Sequence, residues 1–408
     1  MQTTIKTMPP CIVLGLETQI GLGIVRELGR AGVPVIGVTH DPHAIGLSSR
    51  YIARKVVVDK PRSAELVKVI KALGDELGPC CLITISEANL LWLTSQNHDF
   101  GLVRPVVPSA EKLALVLDKH STLQAAQVVG MDVPVTHEIT SLEQAQDLVK
   151  RIEFPVVFKW KDPNAAEKKL AAKSLPLLKA EYAYTREQFL SIAMRYASVG
   201  EWPIVQTYCL GQGVGQFFYM HQGQAIRRFQ HLRVAEWPPE GGFSSVCDSV
   251  PLDQHQALQE KSIALLQHIG WEGVAMVEYR WDPATGKAVL MEINGRYWGS
   301  YPLAVHSLAN FAVISYYIEN GIDLPSLPDI KPGIRCRMMS TEIKRLVRIV
   351  LKPYLIVDRS FKINKWFEVK RFIADFFRPN VRYYVWDSQD PRPYFADIFN
   401  LIRTVLAK

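Results

Sequence analysis

The sequence predicts an α/β domain followed by α+β segments and a basic C-terminal extension. Three observations carry this reading. Strand and helix patterns alternate between residues 11 and 107, which implies a parallel sheet covered by helices. Between 203 and 330, strand patterns follow one another across short turns, which implies antiparallel hairpins. The net charge of +7 is unevenly placed: Lys331 to Tyr383 holds fourteen Lys or Arg against four acids, which leaves −3 elsewhere. At 408 residues the chain exceeds one compact core, and two or three domains are expected. Its 48% hydrophobic and 21% charged content is that of a globular protein and excludes a disordered or fibrous class.

In order along the chain, Cys11–Leu14 reads as a strand and Ile20–Arg30 as a helix closed by Gly32. Val35–Val38 and Lys55–Val58 are strands, Ala64–Leu77 an amphipathic helix, Cys81–Ile85 a strand and Glu87–Asn97 a helix. Gly15, Gly21 and Gly23, with Asp41 beyond the second strand, form a weak dinucleotide fingerprint. The spacing is not G-x-G-x-x-G, so a nicotinamide-dependent oxidoreductase is disfavoured, and a tight loop entering a helix explains the glycines equally well. Helices are expected from Ser109 to Lys119, Ser121 to Val129 and Leu142 to Arg151. Pro155–Trp160 is a short apolar strand, and the Ala- and Lys-rich run Lys161–Ala180 reads as a loop before a helix capped by Thr185. Pro203–Cys209 is a strand, and Gln222-Gly223 turns a hairpin between Gln216–His221 and Gln224–Arg233. Helices are expected over Gln254–His268 and Tyr301–Asn320.

The chemistry lies in the hairpin between them. Gly273–Arg280 and the run from Val289 to Asn294 are strand patterns joined by the turn Asp282–Lys287. Residues two apart on a strand share a face, so Glu292 and Asn294 point the same way, and the hairpin brings Glu278 alongside them. Ionised carboxylates in apolar runs need a positive partner. Two carboxylates and an amide oxygen suit Mg²⁺, a hard cation that often holds substrate phosphates as well. Arg296 follows closely enough to contact an anion. The alternative is a structural ion pair such as Glu292 with Arg280.

The six cysteines show no CxxC pair and no metal-ligand spacing, as expected of reduced thiols in the cytoplasm. The stretch Met1–Pro10 lacks the pattern of a signal peptide, and no run approaches the roughly 20 apolar residues that span a bilayer. Aliphatic residues at Ile343, Leu346, Val347 and Val350, with Lys344, Arg345 and Arg348 between them, predict an amphipathic basic helix over Glu342–Leu351. Two roles are open for it: packing on its own domain with a solvated basic face, or contact with an anionic membrane or a lipid-linked precursor at the inner face of the membrane.

Taken together, Lys119, Lys159 at a strand end, Pro203-Ile204-Val205-Gln206-Thr207-Tyr208-Cys209-Leu210-Gly211, Glu278 and Glu292-Ile293-Asn294-Gly295-Arg296 resemble, in that order, the ATP-grasp superfamily of carboxylate–amine ligases. The pattern is similar to the ATP-binding domain of the carbamoyl-phosphate synthase large subunit. The resemblance implies a Rossmann-like pre-ATP-grasp domain over 1–108, a small ATP-grasp subdomain over 109–200 and a large subdomain with the metal site over 201–330; residues 331–408 are then a basic extension. It implies ATP with Mg²⁺, or Mn²⁺ in its place, held by Glu278, Glu292 and Asn294. Lys119 and Lys159 would meet the phosphates, and Gln206, Thr207 and Cys209 the adenine. Arg233 and Arg296 would stabilise the transferring anion, with small-molecule carboxylate and amine substrates and no nucleic-acid partner. Where the family carries a glycine-rich loop over the phosphates, this chain has Asn164 to Lys173. Glu240-Gly241-Gly242-Phe243-Ser244-Ser245 resembles a Gly-Gly-x-Ser loop beside the active site. A non-catalytic ATP-binding regulatory module is the alternative function.

Overall fold

The first apolar strand patterns pair in parallel, because each is followed by a helix that returns the chain to the same edge of the sheet. In the computed structural model, which describes residues 8–95, 98–161, 163–178, 180–356, 358 and 361–406, these are β1 (Cys11–Leu14), α1 (Gln19–Arg30), β2 (Val35–Thr39), β3 (Ile52–Val57), α2 (Ala64–Leu77), β4 (Cys80–Thr84), α3 (Glu87–Ser95) and β5 (Val103–Pro105). The parallel sheet has the order β3-β2-β1-β4-β5. The glycines of the first loop serve close packing: a Cβ on Gly21 would sit 2.1 Å from the Gly15 carbonyl oxygen. The third strand starts three residues before its expected position, and the end of the helix expected to reach Asn97 lies outside the described residues.

Next come α4 (Ala110–Leu117) and α5 (Lys119–Val128). Asp118 ends the first helix and caps the second, its side chain accepting from the Ser121 amide at 2.7 Å. These helices pack their apolar faces (Leu113, Val116, Leu123, Ala126) into a core shared with the large antiparallel sheet. A separate core forms over β6 (Thr136–His137), α6 (Leu142–Leu148), β7 (Val156–Lys159), α7 (Pro163–Ala172), β8 (Glu181–Ala183), α8 (Arg186–Ala197) and β9 (Ile204–Thr207). Its sheet is antiparallel, in the order β6-β9-β7-β8. The segment expected as a loop after Lys159 contains a helix instead. Alanine, lysine and glutamate are strong helix formers, and a proline at the first helical position removes no needed hydrogen bond.

The large sheet runs β14-β13-β10-β11-β12-β15-β16. It is built from β10 (Gln212–His221), β11 (Gln224–Trp237), β12 (Phe243–Ser249), α9 (Gln256–His268), β13 (Gly273–Trp281), β14 (Ala288–Asn294), α10 (Tyr301–His306), α11 (Phe311–Glu319), β15 (Arg335–Arg337), α12 (Met339–Leu351), α13 (Lys365–Ala374), β16 (Val381–Tyr383) and α14 (Arg392–Leu406). The C-terminal segment is woven into this sheet: β15 pairs with β12, and β16 pairs in parallel with β15. Its arginines turn inward. Arg335 meets Asp248 and Asp375, Arg337 meets Glu342, and Arg345 meets Glu368. The end of the chain also docks on the first domain, where buried Asp390 accepts from Arg26 Nε at 3.0 Å and Ser49 Oγ at 2.7 Å.

The helix expected over Tyr301–Asn320 breaks at Leu308 and Asn310, which both take positive φ. The second piece, α11, has no side-chain cap of its own. Glu27 of α1 supplies it, accepting from the Ala312 and Val313 amides at 2.6 and 3.0 Å and from the Tyr301 hydroxyl at 2.9 Å. Burial, only partly offset by these bonds, raises the Glu27 pKa to about 7. A carboxyl whose folded pKa is raised loses stabilising power as pH climbs from its ordinary value to the folded one. Glu27→Gln keeps an acceptor without the charge. It should match or exceed the native chain in stability at pH 8 and lose that advantage by pH 4.5, by denaturant melts. Glu27→Ala should be less stable by about 2 kcal/mol, since buried amides lose their acceptor.

Candidate active site

The expected hairpin forms with Glu278 and Glu292 as direct cross-strand partners. Opposed residues of an antiparallel pair face the same side, so the two carboxylates share one face of the large sheet. Asn294 joins them, its Nδ2 donating to Glu292 Oε1 at 3.0 Å. That bond directs the amide nitrogen at the protein and leaves the amide oxygen for another donor or a cation.

Lysines approach from two directions. Lys119 opens α5, which packs on the large sheet, and Lys159 ends β7 in the small sheet. Both act on Glu292: burial raises this carboxyl, but the Asn294 bond and the charges of Lys119, Lys159 and Arg233 outweigh it and hold it below its ordinary pKa. Glu278 moves the other way. Burial dominates and the Glu292 charge adds to it, so its pKa rises despite Arg233. Two carboxylates split in this manner gain from a cation placed between them. Lys159 is pulled down to about 8, first by burial and then by Lys119, against the opposing pull of Glu292.

A depressed lysine pKa lowers stability below that pKa, and the loss is recovered as pH rises toward the ordinary value near 10.4. Lys159→Met should therefore melt a few degrees higher than the native chain at pH 7, with the gain fading above about pH 10.

Arg233 is placed against protein rather than facing outward. Its Nη1 donates to Glu236 Oε1 at 3.1 Å and the Gly242 carbonyl at 2.8 Å, and its Nη2 donates to Glu278. It therefore holds Glu278 in position. Arg280 completes the network by donating to Glu236 Oε2 at 3.0 Å, so the partner of Arg280 is Glu236 and not Glu292. Glu236 went unrecognised in the sequence; its only signal was its place three residues beyond Arg233 on one strand. Gly242 is required in this turn, because a Cβ there would lie 2.2 Å from the Trp237 carbonyl oxygen. His231 is fully buried and pairs with Ser300 at 3.1 Å, as a structural histidine.

Arg296 lies 3.9 Å from Glu87, the first residue of α3, and Gln19 Nε2 donates to the Gly299 carbonyl at 3.0 Å. The loop after β14 thus closes on the carboxyl ends of the parallel strands, where ligands bind in such sheets. In β9, Gln206 is buried and donates to Thr136 Oγ1 at 2.9 Å, which ties its amide nitrogen into the small sheet. The Thr207 and Tyr208 amides donate to the Val135 and Pro155 carbonyls at 3.0 and 3.2 Å. The Tyr208 hydroxyl reaches Asp358 of the C-terminal segment at 2.7 Å, a contact no sequence pattern announced. In the segment after Lys159, Lys161 and Lys169 pair with Glu138 and Glu201. Among the described residues no three His, Cys, Asp or Glu side chains gather as a metal site. The donor set fits Mg²⁺ only as a part share, two carboxylates and an amide, with the rest from phosphates and water.

Residues 247–326 match the family model of the carbamoyl-phosphate synthase L chain ATP-binding domain. The large chain of carbamoyl phosphate synthase from Gemmatimonas aurantiaca is 21% identical over 313 residues, 72% of this chain and 27% of that one. The chain thus spans about a quarter of that relative's length. Among solved structures, the ADP complex of purK, an N5-carboxyaminoimidazole ribonucleotide synthetase, has a TM-score of 0.59 at 12% identity, covering 82% of each chain. Biotin carboxylase from Campylobacter jejuni, in a β-γ-ATP complex, has a TM-score of 0.59 at 18% identity, covering 80% of this chain and 74% of that one. An L-amino acid ligase from Bacillus licheniformis has a TM-score of 0.55 at 15% identity, covering 80% and 78%. The chain therefore shares its fold with these solved structures, and the Glu278–Glu292 hairpin lies within the stretch matched to the carbamoyl-phosphate synthase ATP-binding domain.

Proposed function

We propose that the chain is a Mg²⁺- and ATP-dependent ligase that activates a carboxylate as an acyl phosphate and joins it to an amine. The observation that carries this reading is the Glu278, Glu292 and Asn294 face, with the charges of Lys119 and Lys159 acting on Glu292. The three oxygen ligands would hold Mg²⁺, which when bound neutralises phosphate charge. Lys119 and Lys159 would bind ATP phosphates as point charges. The Thr207 carbonyl and Cys209 amide would meet the adenine edge, with Gln206 bracing the strand beneath them. Arg233 fixes Glu278, and Arg296 would bind the reacting anion. In the reaction, a substrate carboxylate oxygen takes the γ-phosphoryl group and ADP leaves. The amine nitrogen then attacks the acyl carbon, phosphate departs and the amine loses a proton. Positioning and charge neutralisation are the main demands of such phosphoryl transfer.

Support for the reading also comes from the fold shared with ATP-dependent ligases, two of which were solved with nucleotide. One observation favours the alternative, a non-catalytic ATP-binding module: the segment after Lys159 forms α7 instead of a glycine-rich loop, and two of its lysines are tied to acids. Phosphate release from Mg-ATP, measured with pools of carboxylates and amines, separates the two. The ligase reading expects release that needs both a carboxylate and an amine. Mg²⁺-dependent ATP binding with no pool raising phosphate above background would establish the module instead. None of the described helices is long and apolar enough to cross a membrane.

A further inference from the structure

Helix α13 is inside-out. Its acid Glu368, and Asp375 just beyond its end, turn inward onto Arg345, Arg371 and Arg335. Val369 and Phe372 are half-buried, but the rest of its apolar surface faces water. Trp366 and Ile373 are 78% and 52% exposed, and Phe377 in the following turn is 83% exposed. Positions 366, 370 and 373 lie on one stripe of a helix, so Lys370 projects between the two apolar side chains. The acids are satisfied inside, while Trp366, Ile373 and Phe377 are solvated beside Lys370, which leaves that apolar stripe unpartnered.

Helices α12 and α14 also expose apolar side chains. Helix α12, joined to α13 through Arg345 and Glu368, exposes Ile343, Val347 and Leu351 at four-residue spacing. Helix α14, docked on the first domain, exposes Phe395, Phe399 and Ile402. Of the 27 large apolar side chains exposed among the described residues, 16 fall between 343 and 402. The cations Lys344, Lys352, Lys362, Lys365 and Lys370 are exposed among them.

We propose that the exposed stripe of α13 docks on an anionic lipid bilayer. Aromatic side chains interleaved with lysine match the membrane interface, where rings sit at headgroup level and lysines meet lipid phosphates. Charge decides against a second copy of the chain, because a two-fold contact would set the same lysines against one another. The proposal goes beyond the ligase reading and does not depend on it.

Co-sedimentation without nucleotide, using phosphatidylglycerol–phosphatidylcholine vesicles and pure phosphatidylcholine vesicles, tests it. The native chain should partition at least tenfold more to the anionic vesicles. The double variant Trp366→Ser with Phe377→Ser should lose at least tenfold of that binding while keeping the native melting temperature, since both side chains are mostly solvated. Equal or negligible partition to the two vesicle types would overturn the proposal, as would a double variant that binds like the native chain. A native dimer in solution that the double variant converts to monomer would assign the face to a second copy and overturn it as well.

Discussion

Glu292→Gln is expected to reduce Mg²⁺-dependent ATP turnover by at least about 100-fold. Loss of a residue one shell outside a metal already lowers affinity or activity by roughly 10- to 100-fold, and Glu292 would be a direct ligand. The choice of Glu292 over Glu278 is physical. Glu292 is the carboxylate held below its ordinary pKa by Asn294 and three cations, so it is ionised at neutral pH. Glutamine has the same shape and can still accept the Asn294 hydrogen bond, so the melting temperature should change little. A matched loss of turnover and stability would show a structural role instead. Steady-state kinetics over a range of Mg²⁺, with a thermal melt of the same sample, makes the check.

The second large effect is on stability. Arg233→Met should destabilise the fold by about 3–5 kcal/mol, the range for removing one partner of a buried ion pair. The loss has a specific source. Glu278 would remain buried beside Glu292 without its arginine, whereas Glu236 would keep Arg280. Glu278 already has a raised pKa, and removing Arg233 pushes it higher. A carboxyl raised in the folded state contributes less stability as pH rises through that window, so the variant should be more damaged at pH 8 than at pH 5. Adding Glu278→Gln should recover much of the loss, as a double-mutant cycle in urea would show.

Much of the site was legible because period-two patterning and a turn fix a hairpin locally. Glu278, Glu292 and Asn294 follow from that logic, and Lys159 from its place at the end of a short apolar strand. The Arg233–Glu236–Arg280 network did not, because β10 separates β11 from β13 and an irregularity in β11 between Arg233 and Glu236 brings residues three apart onto one side. The Ala- and Lys-rich segment reads as a loop in the sequence, although its own composition favours the helix that forms. The long helix after Tyr301 was split by left-handed residues whose cap, Glu27, lies nearly 300 positions away. The C-terminal charge was legible in sign but not in placement. Short strands such as Arg335–Arg337 carry too little pattern to announce themselves, and only the fold shows that their arginines face inward onto acids.

Calorimetric titration of ATP into the native chain and into Glu292→Gln, each with Mg²⁺ and with EDTA, tests the central claim most directly. The account predicts that chelation weakens ATP binding to the native chain and leaves binding to the variant nearly unchanged. An equal response to chelation in both proteins would contradict it.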